Sequence, residues 1–246
     1  MAYALKLISL NIEGSRHLEL VLPFLKRQMP DVATLQEVNE RDVPRVSQAL
    51  GGADYYFIPM SRLLRDGTFS VFGVGIFSRV RMAGENACYY DGNSASIPDS
   101  DFAKTDTYNN NNRVLAICDI EKGGATFRIS TTHFTWSKDG QPSDPQKTDM
   151  RKLLAILESS GEFVLTGDFN APRGGEVFSM LADKYKDNVP SHYTTSIDGN
   201  LHRAGQLNLM VDGIFSTPGY EVSNVQMVSG LSDHGALVAT VSKIGG

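Results

Sequence analysis

The chain has 246 residues, 41% of them hydrophobic, and its 23 basic against 28 acidic side chains leave a formal net charge of −5. A core of good size is affordable, and a general polyanion binder, which carries a strong basic excess, is excluded, although a local basic patch is not. The two cysteines, Cys88 and Cys118, make no disulfide framework; the simpler reading is a reducing, cytoplasmic setting with Cys118 in the core. The Tyr3-to-Leu10 run lacks the basic start and cleavage site of an export signal, and no apolar segment reaches membrane length, so neither feature is expected.

Ala4 to Leu10 alternates as a strand and ends in Asn11. Ser15 is a candidate N-cap for a helix whose apolar face carries Leu18, Val21, Leu22, Leu25 and Met29. Pro23 must kink this helix or sit in its true first turn, and Pro30-Asp31 stops it. Val32 to Gln36 reads as a strand ending in Glu37, and a helix over 40–50 follows, capped by Asn39 and ended by Gly51-Gly52. Strands are predicted over 55–59 and 72–78, with a loop or hairpin over 61–68; Gly73 and Gly75 mark a bulge or a close backbone approach.

From Gly84 to Asn112 periodicity is lost, and the stretch is either a substrate-facing loop or a surface insertion. Arg113–Ile120 and Ala125–His133 form a strand pair around Lys122-Gly123-Gly124. Asp144-Pro145 reads as an N-cap with proline at the first position of a helix buried through Met150, Leu153, Leu154 and Leu157, which Gly161 ends. An apolar strand from Phe163 ends in Asp168 and Asn170, which alternation places on one side. A short helix over 176–184, a loop over 185–208, and strands over 210–216, 220–228 and 236–242 complete the chain. Strands outnumber helices, a strand–helix–strand pattern occurs in both halves, and no linker divides the chain. The expectation is one domain over 1–246, with two packed sheets and outer helices.

Several apolar runs stop at a side chain able to bind a cation or move a proton: Asn11, Glu37, His133, Asp168 with Asn170, Asp212, and Ser232-Asp233-His234. Each alone is equally a polar turn residue or a satisfied structural histidine. As a set they converge if the strands share two packed sheets. Oxygen ligands without a cysteine cluster point to Mg²⁺, Mn²⁺ or Ca²⁺ rather than structural zinc.

Leu10-Asn11-Ile12-Glu13-Gly14, Leu35-Gln36-Glu37-Val38, Gly75-Ile76-Phe77-Ser78-Arg79, Thr132-His133-Phe134, Gly167-Asp168-Phe169-Asn170, Val211-Asp212-Gly213-Ile214-Phe215 and Ser232-Asp233-His234 resemble, in order, the motifs of the endonuclease/exonuclease/phosphatase superfamily. The look is nearest to bacterial members resembling tyrosyl-DNA phosphodiesterases of the second type. The resemblance runs from Asn11 to His234. It implies a four-layered α/β sandwich of two mostly antiparallel sheets between helices, and phosphoester hydrolysis with a divalent cation, usually Mg²⁺ with Mn²⁺ as an option. By that resemblance Glu37 is the principal metal carboxylate, with Asn11 and Asp233 beside it. Asp168 orients or deprotonates the attacking water, and Asn170 contacts the phosphate. Asp212 holds His234, which acts as general base or phosphate ligand. His133 matches the histidine of the deoxyribonuclease and sphingomyelinase branches. Arg113 follows four asparagines, where abasic-site enzymes carry an acidic residue and a glycine, so that branch is not favoured.

Arg79, Arg113, Trp136 and Arg173 are candidate substrate contacts, Trp136 either stacking on a base or packing. The expected activity is a metal-dependent phosphodiesterase or nuclease acting on nucleic acid or a nucleotide end, with no membrane and no obligate protein partner. The alternative is a phosphatase or phosphodiesterase on a small-molecule or lipid phosphate, of sphingomyelinase or inositol-phosphatase type.

Overall fold

The structure, a computed structural model, describes residues 4–65, 67–101 and 109–244. The first half runs β1 (Ala4–Asn11), α1 (Leu18–Gln28), β2 (Val32–Asn39), α2 (Val43–Ala49), β3 (Asp54–Arg65), β4 (Thr68–Ser78), β5 (Arg81–Asp91) and β6 (Asp99–Asp101). The second runs β7 (Arg113–Lys122), β8 (Ala125–His133), α3 (Asp144–Glu158), β9 (Val164–Asp168), α4 (Glu176–Ala182), β10 (Lys186–Asp187), β11 (Asp212–Ser216), β12 (Tyr220–Val228) and β13 (Ala236–Lys243). One sheet has the order β12-β13-β1-β2-β4-β3-β6 and the other β10-β11-β9-β8-β7-β5. Most neighbours are antiparallel. The pairs β1–β2 and β8–β9 are parallel and are joined through α1 and α3, which accounts for the pattern repeated in the two halves.

Side-chain alternation sets the layers. Leu5 and Leu7 of β1 and Val32 of β2 face the second sheet, where they meet Phe127 and Ile129 of β8, Val164 of β9 and Ile214 of β11. The opposite parity, Ile8, Leu10, Ala33 and Leu35, packs against Val21, Phe24 and Leu25 of α1 and Val46 of α2. On the other side α3 and α4 cover the second sheet with Met150, Leu153, Leu157, Phe178 and Leu181. The result is the expected four-layered α/β sandwich.

Toward one end of the inter-sheet face, apolar side chains give way to a polar seam. Thr166 Oγ1 bonds Thr34 Oγ1 at 2.8 Å, and Gln36 Nε2 donates to Thr131 Oγ1 at 3.0 Å. Both bonds cross from one sheet to the other. Buried partners of this kind fix the relative register of two sheets, which apolar contacts alone define less sharply.

Several local expectations shift. Ser15 does not cap α1, which starts at Leu18 after His17, and Pro23 lies in its interior with its missing N–H on the exposed side. The helix ends on Met29 in the left-handed conformation, one residue before Pro30. Ser143, not Asp144, caps α3 by accepting from Gln146 N–H. The stretch over 61–68, read as a loop or hairpin, is the hairpin: residues 61–65 pair with 68–72 and continue the β3–β4 ladder. Gly73 makes this possible: a Cβ there would stand 2.0 Å from the Ile58 carbonyl oxygen. The stretch from Gly84 begins inside β5, whose exposed, bulged edge shows no alternation in sequence, and residues 102–108 lie outside the described set.

Candidate active site

Four polar side chains continue the inter-sheet parity past the end of the apolar core. Asn11 follows Leu5, Leu7 and Ser9; His133 follows Phe127, Ile129 and Thr131; Asp168 follows Val164 and Thr166; Asp212 precedes Ile214. The ladder sets His133 opposite Asp168, and Asp168 opposite Asp212. His234 arrives from the turn before β13 and bonds Asp212 Oδ2 through Nδ1 at 2.7 Å. Its Nε2 lies 3.8 Å from Asp168 Oδ2, and His133 Nε2 approaches the same oxygen to 3.6 Å.

Asp168 is well supplied with donors. Oδ1 accepts from Asn170 N–H at 2.9 Å, and Oδ2 accepts from Asn11 Nδ2 at 3.0 Å. Its strand comes close to β8 because Gly167 has φ +155, and a Cβ there would sit 2.2 Å from Thr132 O. Asn170 does not share the Asp168 face by alternation, since β9 has ended. It adopts φ +49 in the turn, and its Nδ2 donates to Phe134 O at 3.0 Å. It reaches the cleft nonetheless.

Glu37 breaks the parity. In a regular strand it would follow Ala33 and Leu35 toward the helices. The β2–β4 ladder instead shifts register between Leu35 and Val38, and Glu37 has φ +56. This bulge turns the carboxylate into the cleft. The left-handed conformation costs a non-glycine residue on the order of 1 kcal/mol or more, a strain that concentrates at working sites.

Burial and the neighbouring Asp233 and Asp168 carboxylates push Glu37 from the ordinary 4.5 up to about 8, against the Asn11 hydrogen bond. That bond, at 3.3 Å, is long. The two imidazoles move in opposite senses. Burial, with Arg113 and His234 nearby, lowers His133 to about 4 despite Asp168. Burial also works against charge on His234, but Asp212, Asp168 and Asp233 together raise it well above 6.5. Neutral His133 and cationic His234 thus stand on either side of one carboxylate oxygen.

The other expected residues divide. Asp233 lines the cleft, accepting from Ser232 Oγ at 3.1 Å. Asn11 enters as a donor: its Oδ1 is taken by Glu13 N–H at 3.1 Å, while its Nδ2 faces the two carboxylates. The oxygen expected to face a cation is therefore turned away, because two adjoining carboxylates need donors. Trp136 lines the cleft. Arg113 is buried, donates to the carbonyls of His133 and Phe134 at 3.1 and 3.0 Å, and lines a small cavity with Glu37, His133 and Asn170. Arg173 likewise is turned inward, to the carbonyls of Val189, Pro190 and Tyr193 and to Asp187. Arg79 follows Ser78, which pairs with Val32 at the start of β2, the end away from Glu37; its guanidinium bonds Met29 O.

Sequence reading missed Glu13, whose carboxylate holds Arg16 and His17 at 2.5 and 3.0 Å. It also missed Ile197, Leu207 and Leu209, which wall the cleft from the long loop before β11 and offered no periodicity to find them by.

The family model described as Endonuclease/Exonuclease/phosphatase matches residues 8–234, a span that holds every residue of this cleft. The chain belongs to the endonuclease/exonuclease/phosphatase family. Members of this family are hydrolases, mostly phosphoesterases, and generally use a divalent metal. Among solved structures, an endonuclease/exonuclease/phosphatase from Bacteroides vulgatus is 18% identical with a TM-score of 0.72, over 98% of this chain and 100% of that one. D. rerio TDP2 complexed with a single-strand DNA product is 18% identical with a TM-score of 0.70, over 97% and 98%. A mannosyl-6-phosphatase from Bacteroides thetaiotaomicron is 14% identical with a TM-score of 0.67, over 96% and 99%. At these identities the likeness is one of fold. No curated protein matched.

The donor set fits the family's divalent ion. The Glu37 and Asp233 carboxylates repel each other, with the Asn11 amide and His133 Nε2 (3.8 Å) also beside Glu37, and the raised Glu37 marks a site where an added positive charge is favoured. A second grouping exists: Asp168, Asp212 and His234 place ligand-type atoms within 4.8 Å of one another. There, however, Asp212 Oδ2 and His234 Nδ1 are already bonded to each other. Among the described residues, no helix is long and apolar enough to cross a membrane.

Proposed function

We propose that this family member is a divalent-metal-dependent phosphodiesterase acting on DNA or RNA by in-line attack of water. The observation that carries the reading is the convergence, on Asp168 Oδ2, of a neutral imidazole, a cationic imidazole and an amide donor, beside a Glu37 that burial and like charge make hard to ionise.

In this reading Glu37 and Asp233 hold the ion, Mg²⁺ or Mn²⁺, with Asn11 orienting the Glu37 and Asp168 carboxylates. The bound ion supplies Lewis-acid stabilisation of charge on the phosphoryl oxygens. Asp168, held at both oxygens, orients the attacking water and accepts its proton, with neutral His133 next to it. His234, kept cationic by Asp212, donates from Nε2 to a nonbridging oxygen as negative charge grows there. The Asn170 amide directs its second N–H toward the phosphate. No obligate protein partner enters this chemistry.

Hydrolysis of bis-p-nitrophenyl phosphate is expected to need Mg²⁺ or Mn²⁺ and to stop with EDTA; full activity in EDTA would sink the metal assignment. Asp168→Ala and His234→Ala are each expected to lower kcat by at least about a hundredfold. A small-molecule phosphate is the second reading, since a fold neighbour is a mannosyl-6-phosphatase. A panel of single- and double-stranded DNA, RNA, sugar phosphates, sphingomyelin and inositol phosphates separates the two. Turnover confined to the last three classes would overturn the nucleic-acid reading.

A further inference from the structure

Glu37 stands where two grooves of different chemistry meet. One, of about 120 Å³, passes His234 and Asp168 and is walled by Trp136, Ile197, Leu207 and Leu209. The second, of about 360 Å³, shares Glu37 with the first and is lined by Ser15, Arg16, Asn39 and Arg41 on one side and by Leu63 and Phe72 on the other. No step of the proposed hydrolysis uses this second groove.

Its polar wall is assembled from the segments that follow β1 and β2, the strands that carry Asn11 and Glu37. Ser15 Oγ is at the centre. It donates to Asp42 Oδ2 at 2.5 Å and accepts from Asn39 Nδ2 at 2.7 Å and Arg41 Nη2 at 3.1 Å. Ser70 Oγ, from β4, donates to Asn39 Oδ1 at 3.1 Å and ties the wall to the β3–β4 hairpin. Buried carboxylates anchor the two arginines from below. Arg16 is held by Glu13 at 2.5 Å, and Arg41 lies 3.9 Å from Asp42. The carboxylates are 8% and 4% exposed, whereas the arginine side chains are 44% and 65% exposed.

Each side chain thus lines the groove while its guanidinium is tethered to a buried carboxylate. Tethering removes part of the rotamer entropy that a free surface arginine loses on binding. A planar fork with charge-assisted donors matches phosphate oxygens. In a chain of net charge −5, two exposed arginines beside the reaction centre keep N–H donors beyond their single carboxylate partners, which suits an anionic ligand. Leu63 and Phe72 also line the groove but are almost wholly buried, so its polar wall offers a ligand the main contacts.

We infer that this groove binds the neighbouring phosphate of a polynucleotide, the one next to the phosphate being hydrolysed. The substrate is then a diester inside a chain: one flank lies along the Trp136 wall, and the other carries its next phosphate to Arg41 and Arg16. This inference rests on the phosphodiesterase reading above.

Two substrates separate them. A thymidine dinucleotide has one phosphate, and a trinucleotide has two. For wild-type protein with Mg²⁺, kcat/KM on the trinucleotide is expected to exceed that on the dinucleotide by about tenfold or more, beyond the twofold given by the extra bond. Arg41→Ala should remove most of that gain, and Arg41→Lys should keep part of it. The slope of log kcat/KM against log salt on the trinucleotide should fall by about one in Arg41→Ala. Arg41 is largely exposed, so the substitution should leave the fold intact, and a thermal melt at the wild-type Tm is the check. Equal rates per bond on the two substrates, or a gain that survives in both Arg41→Ala and Arg16→Ala, would overturn the groove assignment alone. Hydrolysis of bis-p-nitrophenyl phosphate with no cleavage of either oligonucleotide would overturn the nucleic-acid reading and the groove with it.

Discussion

The ends of β9 and β2 deliver one carboxylate each to the same cleft, and they do so in opposite ways. Asp168 lies on the natural parity of its strand, and both its oxygens accept hydrogen bonds of ordinary length. Glu37 lies off parity, in a bulge with φ +56, with one long bond from Asn11 and a carboxyl pushed up to about 8. The first carboxylate is completed by the protein. The second is left short of donors, and in the proposed reading a divalent ion would complete it.

The largest effect comes from breaking the finished end. Gly167→Ala would drive a Cβ to 2.2 Å from Thr132 O and force β8 and β9 apart where His133 faces Asp168. A loss of about 3 kcal/mol or more is expected, with activity lost alongside. Denaturant unfolding measures it; a variant of wild-type stability would show that the close approach is not needed.

A sharper contrast sets Glu37→Gln against Asp168→Asn in EDTA at pH 8. Glu37→Gln removes a carboxylate that is costly to ionise, so its Tm should equal or exceed wild type. Asp168→Asn sets an amide N–H₂ against the Asn11 donor and should cost about 1–3 kcal/mol. Both variants should lose activity. A Tm loss in Glu37→Gln as large as that in Asp168→Asn would erase the distinction.

The pH dependence has a definite sign. A raised pKa in the folded state stabilises the protonated form, so this stability is present at low pH and lost as pH rises. For Glu37 the window runs from 4.5 to about 8, and His234, also raised, adds the same sign at its upper end. His133 acts oppositely, losing stability as pH falls from 6.5 toward about 4. Between pH 6.5 and 8, in EDTA, Tm should therefore fall, and less steeply in Glu37→Gln. A flat wild-type profile would contradict the Glu37 assignment. The smallest effect is expected from Arg79→Ala, at the other end of β4, with kcat/KM within about twofold of wild type.

The sequence made the layers legible because alternation and helical spacing report burial directly: Leu5 and Leu7, or Met150 and Leu153, need no tertiary information. It also marked most of the cleft, since Asn11, His133, Asp168 and Asp212 simply continue a strand's inward face until the core runs out. Glu37 was found as a polar strand end and through its motif, not by parity. Parity alone would have placed it under a helix, and nothing local announces the bulge. The surroundings of the arginines were not legible for a related reason: charge suggests a contact, but whether a guanidinium is exposed, as in Arg41, or bonds internal carbonyls, as in Arg113 and Arg173, depends on loops whose course has no period. The long stretch before β7 hid β5 because an exposed, bulged edge strand buries too little to alternate.

The most direct test is the shift in Tm produced by Mg²⁺ at pH 8, compared in wild type, Glu37→Gln and His234→Ala. A cation completing the β2 end should raise wild-type Tm by several degrees, an effect lost in Glu37→Gln and kept in His234→Ala. A rise that persists in Glu37→Gln and disappears in His234→Ala would place the ion at Asp168, Asp212 and His234 and contradict the account.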